Sequence, residues 1–109
     1  MSILPELVSK AADLKTFIEY VKDSVVSKTL VSAKSGTITL FAFDHGQSLG
    51  EHSAPYNAVV QIIEGQAELI IDGKSVMAVC GQIAAMPADV PHAVKAIEPF
   101  KMLLTMLRE

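Results

Sequence analysis

The spacing of hydrophobic and polar residues changes character twice along the chain. The first dozen residues show no clear period and contain Pro5, which predicts an extended arm or loop. After Asp13, a suitable N-cap, Leu14, Phe17, Ile18 and Val21 recur at the i, i+3, i+4, i+7 spacing of one helical face. A short helix is expected there, although the β-branched content also allows an early strand. From Val25 onward the period becomes two, the alternation of side chains across a pleated strand. In Thr37 to Phe43, Ile38, Leu40 and Ala42 share one face, and the threonines and phenylalanines take the other. In Phe100 to Leu107, Phe100, Met102, Leu104 and Met106 share a face.

Turn signals separate these runs: Ser35-Gly36, His45-Gly46, Glu64-Gly65, Asp72-Gly73, Cys80-Gly81 and the loop from Pro87 to Pro91. Asp72-Gly73 suits a two-residue hairpin between Glu68–Ile71 and Lys74–Val79, because both positions tolerate positive φ. Many short strands without long helices predict an all-β sandwich or barrel. Residues 1–24 are read as an arm and 25–109 as the barrel domain. Several strands are apolar on both faces: Val59 and Ile63 alternate with Val60 and Ile62, and Leu103 and Leu107 with Leu104 and Met106. The outward face needs cover, so a closed symmetric homodimer is expected. The competing reading folds the N-terminal segment over that face.

The chain has 109 residues, the usual size of one domain, and about two-thirds of its surface should be buried on folding. No apolar run approaches the roughly 20 residues needed to span a bilayer, and the N-terminus lacks the marks of a secretion signal. These features predict a cytoplasmic protein without a membrane partner. The net charge of −3 and the scattered Lys and Arg argue against nucleic acid. Cys80 is the only cysteine, which excludes an internal disulfide and a cysteine-clustered zinc module. It reads as a small buried or half-buried hydrophobe.

Two linked motifs narrow the fold. The first reads Gly46, five residues, His52, Ser53, Ala54, three residues, Ala58, six residues, Gly65. The second reads Gly81, five residues, Pro87, Ala88, Asp89, two residues, His92, three residues, Ala96. Their glycine and proline framework resembles that of the small single-domain cupins, from about Ser35 to the C-terminus. The resemblance implies a double-stranded β-helix, or jelly-roll barrel, with a short N-terminal arm or helix. It also implies that Asp89 stands at a turn where the family has Gly, and Ala96 where it has Asn.

In metal-binding cupins three histidines and a glutamate hold a divalent ion, and the matching positions here are His52, Ala54, Ala58 and His92. Alanine cannot ligate, so two of the four ligands are missing. A weakly held divalent transition metal on His52 and His92 is the only cofactor the resemblance leaves open. Tyr56 and Asn57 precede the next strand, at the expected barrel mouth, where they would supply a weak oxygen ligand or contact a small molecule. Gln61 points outward if that strand is regular and reaches the pocket only if a bulge intervenes. Without metal, the two imidazoles line the pocket or act as a proton relay. His45 and the acids Glu51, Glu64, Glu68 and Asp72 read as solvated.

Fold does not carry function, and cupins include isomerases, dioxygenases, decarboxylases, storage proteins and ligand sensors. The residues favour a protein that binds a small molecule in an apolar pocket, left roomy by Ala54 and Ala58, with His52, Tyr56, Asn57, Gln61 and His92 around it. The alternative is a metal-dependent enzyme of oxygenase or isomerase type in which His52 and His92 ligate.

Overall fold

The computed structural model describes residues 1–109. It contains ten strands: β1 (Ser2–Ile3), β2 (Val25–Ala33), β3 (Gly36–Phe43), β4 (Ser48–His52), β5 (Asn57–Glu64), β6 (Gln66–Ile71), β7 (Lys74–Val79), β8 (Ile83–Met86), β9 (His92–Lys95) and β10 (Phe100–Leu107). They form a six-stranded sheet ordered β1-β2-β3-β10-β5-β8 and a four-stranded sheet ordered β4-β9-β6-β7. All pairs are antiparallel. The fold is thus an all-β jelly-roll barrel.

The core lies between the sheets, where the inward alternates of each strand meet: Phe43, Val60, Ile62, Leu69, Val94, Phe100 and Met102, all at most 2 % exposed. Phe43 and Phe100 face each other across β3 and β10, their rings stacked 4.5 Å apart. The expected hairpin forms at Asp72-Gly73, with φ of 52° and 76°, the double positive φ of a type I′ turn. Gly65 is required by space as well as by its φ of 74°, because a Cβ there would run into the Pro99 carbonyl. The two departures from the family framework are absorbed locally. Asp89 takes φ 64°, a conformation aspartate tolerates, and its N–H donates to Ala54 O at 2.8 Å. The backbone of Ala96 is held by Gly46 and Gln47 through two 2.8 Å hydrogen bonds, which need no side chain at this position.

No helix forms over Leu14 to Val21. The segment makes one turn at Asp13, whose Oδ1 accepts from Lys15 N at 3.0 Å, and then runs irregularly across the outer face of the six-stranded sheet. Its carbonyls find partners on the sheet rather than along a helix: Lys28 Nζ donates to Phe17 O at 2.7 Å, and Lys101 Nζ donates to Lys15 O. Leu4, Leu7, Leu14, Phe17, Ile18 and Tyr20 pack there on Leu30, Leu40, Ala42 and Leu103. The arm therefore covers part of the outer apolar face on which the expectation of a second copy rested, Ile63 and Leu103 among it, whereas Leu107 stays 51 % exposed. The apolar side chains still exposed include Val76, Met77, Val79 and Ile83 on the edge strands β7 and β8.

Two side chains differ from their expected surroundings. Cys80 is exposed in the turn after β7, and its thiol donates to Ile63 O at 3.1 Å. Glu64 is not simply solvated. A register shift in the β5–β10 pairing leaves Ile63 without a partner, so Ile63 and Glu64 both serve the outer face. There Glu64 accepts the Tyr20 hydroxyl at 2.6 Å and lies 3.7 Å from the buried Lys101 ammonium.

Burial first, then the hydrogen bond and the negative charge of Glu64, push the Tyr20 phenol well above its ordinary value of 10.0. The fold thus favours the neutral phenol. Its contribution to stability is complete below pH 10.0 and is withdrawn as pH rises above it, where the unfolded chain ionises first. Tyr20→Phe is expected to cost about 1 kcal/mol at neutral pH, allowing for the half-exposed partner. It should also flatten the fall in stability above pH 10.0, as urea unfolding at several pH values would report.

Candidate functional site

The site is assembled at the barrel mouth by the antiparallel pair β4 and β9, which sets His52 directly opposite His92. A one-residue register shift in β4 falls between Leu49 and His52. In a regular strand residues three apart point to opposite faces; the shift turns both inward, and both line the same hollow. The two imidazoles meet edge to face with centroids 4.3 Å apart. His92 is buried at 7 % exposure, and His52 is open to solvent at the rim.

The two rings are held in the same way. His52 Nδ1 lies 2.8 Å from Gly50 O and His92 Nδ1 lies 3.1 Å from Val90 O, each a carbonyl two residues earlier. A carbonyl oxygen only accepts, so each Nδ1 carries the proton. In the neutral tautomer both Nε2 atoms are then left as bare acceptors. This assignment follows from the hydrogen-bond partners.

Tyr56 lines the hollow from the loop before β5, and the Arg108 guanidinium covers its ring at 4.6 Å. Asn57 does not reach the hollow. Its Oδ1 accepts from Ala88 N at 3.0 Å, which ties the β4–β5 loop to the β8–β9 loop. Gln61 is exposed, opposite Leu103 and Ile83 on the outer face, because the bulge in β5 comes after it. The structure thus brings together His52, Tyr56 and His92 and leaves Asn57 and Gln61 outside.

The remaining wall consists of Leu49, Ala54, Ala58, Met86, Val94, Met102, Leu104 and Met106, so with Tyr56 nine of the eleven lining residues are hydrophobic. The hollow measures only about 40 Å³, or about 420 Å³ when all the space between its walls and the open solvent at its mouth is counted. The interior is therefore tighter than the alanines suggested. Ala58 pairs with Met106 on β10 and with Met86 on β8, and these flexible side chains take up the space beside it. Sequence reasoning placed Met102 and Met106 on one face but gave them no part in the site, and it missed Met86, Leu49 and Arg108.

His52, Ala54, Ala58 and His92 all line this hollow, so the geometry that would gather four ligands is kept while two of the positions lack donors. No three His, Cys, Asp or Glu side chains converge anywhere in the chain. Tyr56 offers only a phenol oxygen, which ligates far less well than a carboxylate. The residues present do not fit a four-ligand divalent ion.

Comparison with known proteins agrees with this architecture. Residues 39–106 match the cupin domain model, and the chain belongs to the cupin family. A conserved protein of unknown function from Streptococcus pyogenes is 38% identical, with a TM-score of 0.92 over 100% of this chain and 96% of its own. A cupin superfamily protein from Desulfitobacterium hafniense is 26% identical, with a TM-score of 0.88 over 94% of each chain. A cupin 2 conserved barrel domain protein from Leptotrichia buccalis is 38% identical, with a TM-score of 0.81, covering 84% of this chain and 44% of that one. No functionally curated protein matches the sequence. No helix is long and apolar enough to cross a membrane.

Proposed function

We propose that this cupin binds a small, mostly apolar, uncharged molecule at the barrel mouth without a tightly held divalent ion. The observation that carries the reading is the paired tautomer. Both imidazoles line an otherwise apolar hollow, and a backbone carbonyl holds Nδ1 of each, which leaves Nε2 of each ring as the free acceptor. Such a site selects a ligand with a hydroxyl or N–H donor at one end and an apolar body at the other, because an unmatched buried polar atom costs more than a made hydrogen bond gains. The hollow holds roughly three waters, so anything ring-sized enters only as far as the methionines give way. A cytoplasmic setting and self-association remain part of this reading as the sequence suggested them.

The test uses phenol as the probe, with EDTA present, and follows the five methionine methyl groups by carbon-13 labelling. The Met86, Met102 and Met106 signals are expected to move and saturate together, while those of Met1 and Met77 stay in place. His92→Ala should weaken the response about tenfold, the equivalent of one hydrogen bond. Pocket methyls that do not move, or all five moving alike without saturation, would count against the reading.

A further inference from the structure

We propose that the hollow is also a site for a soft monovalent metal ion, Cu(I), held by Nε2 of His52 and His92 and by the thioethers of Met86 and Met106. The inference does not rest on small-molecule binding; it needs only the donors and their placement. Ala58, where a glutamate would complete a divalent site, has Met106 as its direct register partner on one side and Met86 on the other. Direct cross-strand partners share a face, with Cβ atoms about 5 Å apart, so both thioethers project to the side where the carboxylate is missing. Both line the hollow together with the two imidazoles.

The donor set has a definite chemical preference. Thioether sulfur is soft, imidazole is borderline, and hard oxygen donors are confined to one phenol, an arrangement that disfavours magnesium, calcium and manganese and favours Cu(I). Charge points the same way. Every donor is neutral, and a single positive charge costs less to bury without a counter-charge than a double one. Low coordination numbers satisfy Cu(I), and a hollow of about 40 Å³ has room for a single ion. Each imidazole is already oriented by the carbonyl behind its Nδ1, the kind of outer partner that fixes metal-ligating histidines.

Buried methionine is most often only core filler, so the experiment must separate sulfur from packing. Cys80 is exposed and would itself take Cu(I), so the protein carries Cys80→Ser throughout. Titrated anaerobically against the Cu(I) complex of bicinchoninate, it is expected to withdraw one equivalent of copper. That uptake should disappear in His52→Ala with His92→Ala. It should weaken on the order of tenfold in Met106→Leu, a volume-conserving change that removes the sulfur. X-ray absorption at the copper edge of the loaded protein is expected to show sulfur neighbours beside nitrogen. Failure to withdraw copper, uptake unchanged by Met106→Leu, or an absorption spectrum with nitrogen neighbours alone would each overturn the proposal.

Discussion

Ala54→His combined with Ala58→Glu is expected to complete a four-donor site in the hollow that binds zinc, nickel or manganese stoichiometrically. Both positions line the hollow already occupied by His52 and His92, so the two substitutions add donors to a geometry that is in place. Ala58 is 5 % exposed, and a glutamate there without metal buries a carboxyl group among methionines, at a cost of a few kcal/mol. Metal should reverse that cost. At about 100 times the dissociation constant, a ligand specific to the folded state contributes about 2.7 kcal/mol, so the double variant should melt lower than the parent in EDTA and rise steeply with added zinc. The parent should show no comparable rise. A double variant indifferent to metal would mean that the four positions do not converge as described.

Phe100→Ala is expected to be the most damaging single truncation in the core, costing about 3–5 kcal/mol. Phe100 and its register partner Phe43 are both 0 % exposed and stacked at 4.5 Å with ring planes 13° apart, so removing one ring leaves the other facing a void. The same strand carries Met102, Leu104 and Met106 to the wall of the hollow. Against a total stability of the usual 5–15 kcal/mol, the loss takes much of the margin. Chemical denaturation should show a lower midpoint with an unchanged slope. A cost below about 1 kcal/mol would place the ring outside the load-carrying core.

Much of the barrel was legible because its signals are local. Period-two alternation sorted β3 and β10 into their two faces, although in β3 the set Ile38, Leu40 and Ala42 lies outward under the arm; Asp72-Gly73 marked the β6–β7 hairpin, and the glycines and Pro87 kept their spacing around both motifs. The misread features depend on partners distant in sequence. Leu14, Phe17 and Ile18 have helical spacing, but the carbonyls of Phe17 and Lys15 accept from lysines of β2 and β10, so an irregular segment can lie flat on the sheet. The same lysines could not be recognised as arm-binding from their own neighbours in sequence. Cys80 follows an apolar run and was read as at least half buried; it lies instead in the turn beyond the last strand residue of an exposed edge.

The site divides along the same line. His52 and His92 were identified by motif spacing, whereas their hydrogen bonds to Gly50 and Val90 emerge only from the folded loops. Leu49 and His52 face the same way because of a bulge whose local mark is Gly50 within β4. Met86 and Met106 flank Ala58 only once the register of three strands is known. The sequence announced the missing ligands; the pairing of the strands revealed what stands beside them.

The most direct test of a binding site without a divalent ion is the metal content of the protein purified without a histidine tag, measured beside His52→Ala and His92→Ala. The account predicts no stoichiometric iron, manganese, cobalt, nickel or zinc in any of the three. One equivalent of any of these metals per chain, lost in both variants, would contradict it and make His52 and His92 the ligands of a metalloenzyme.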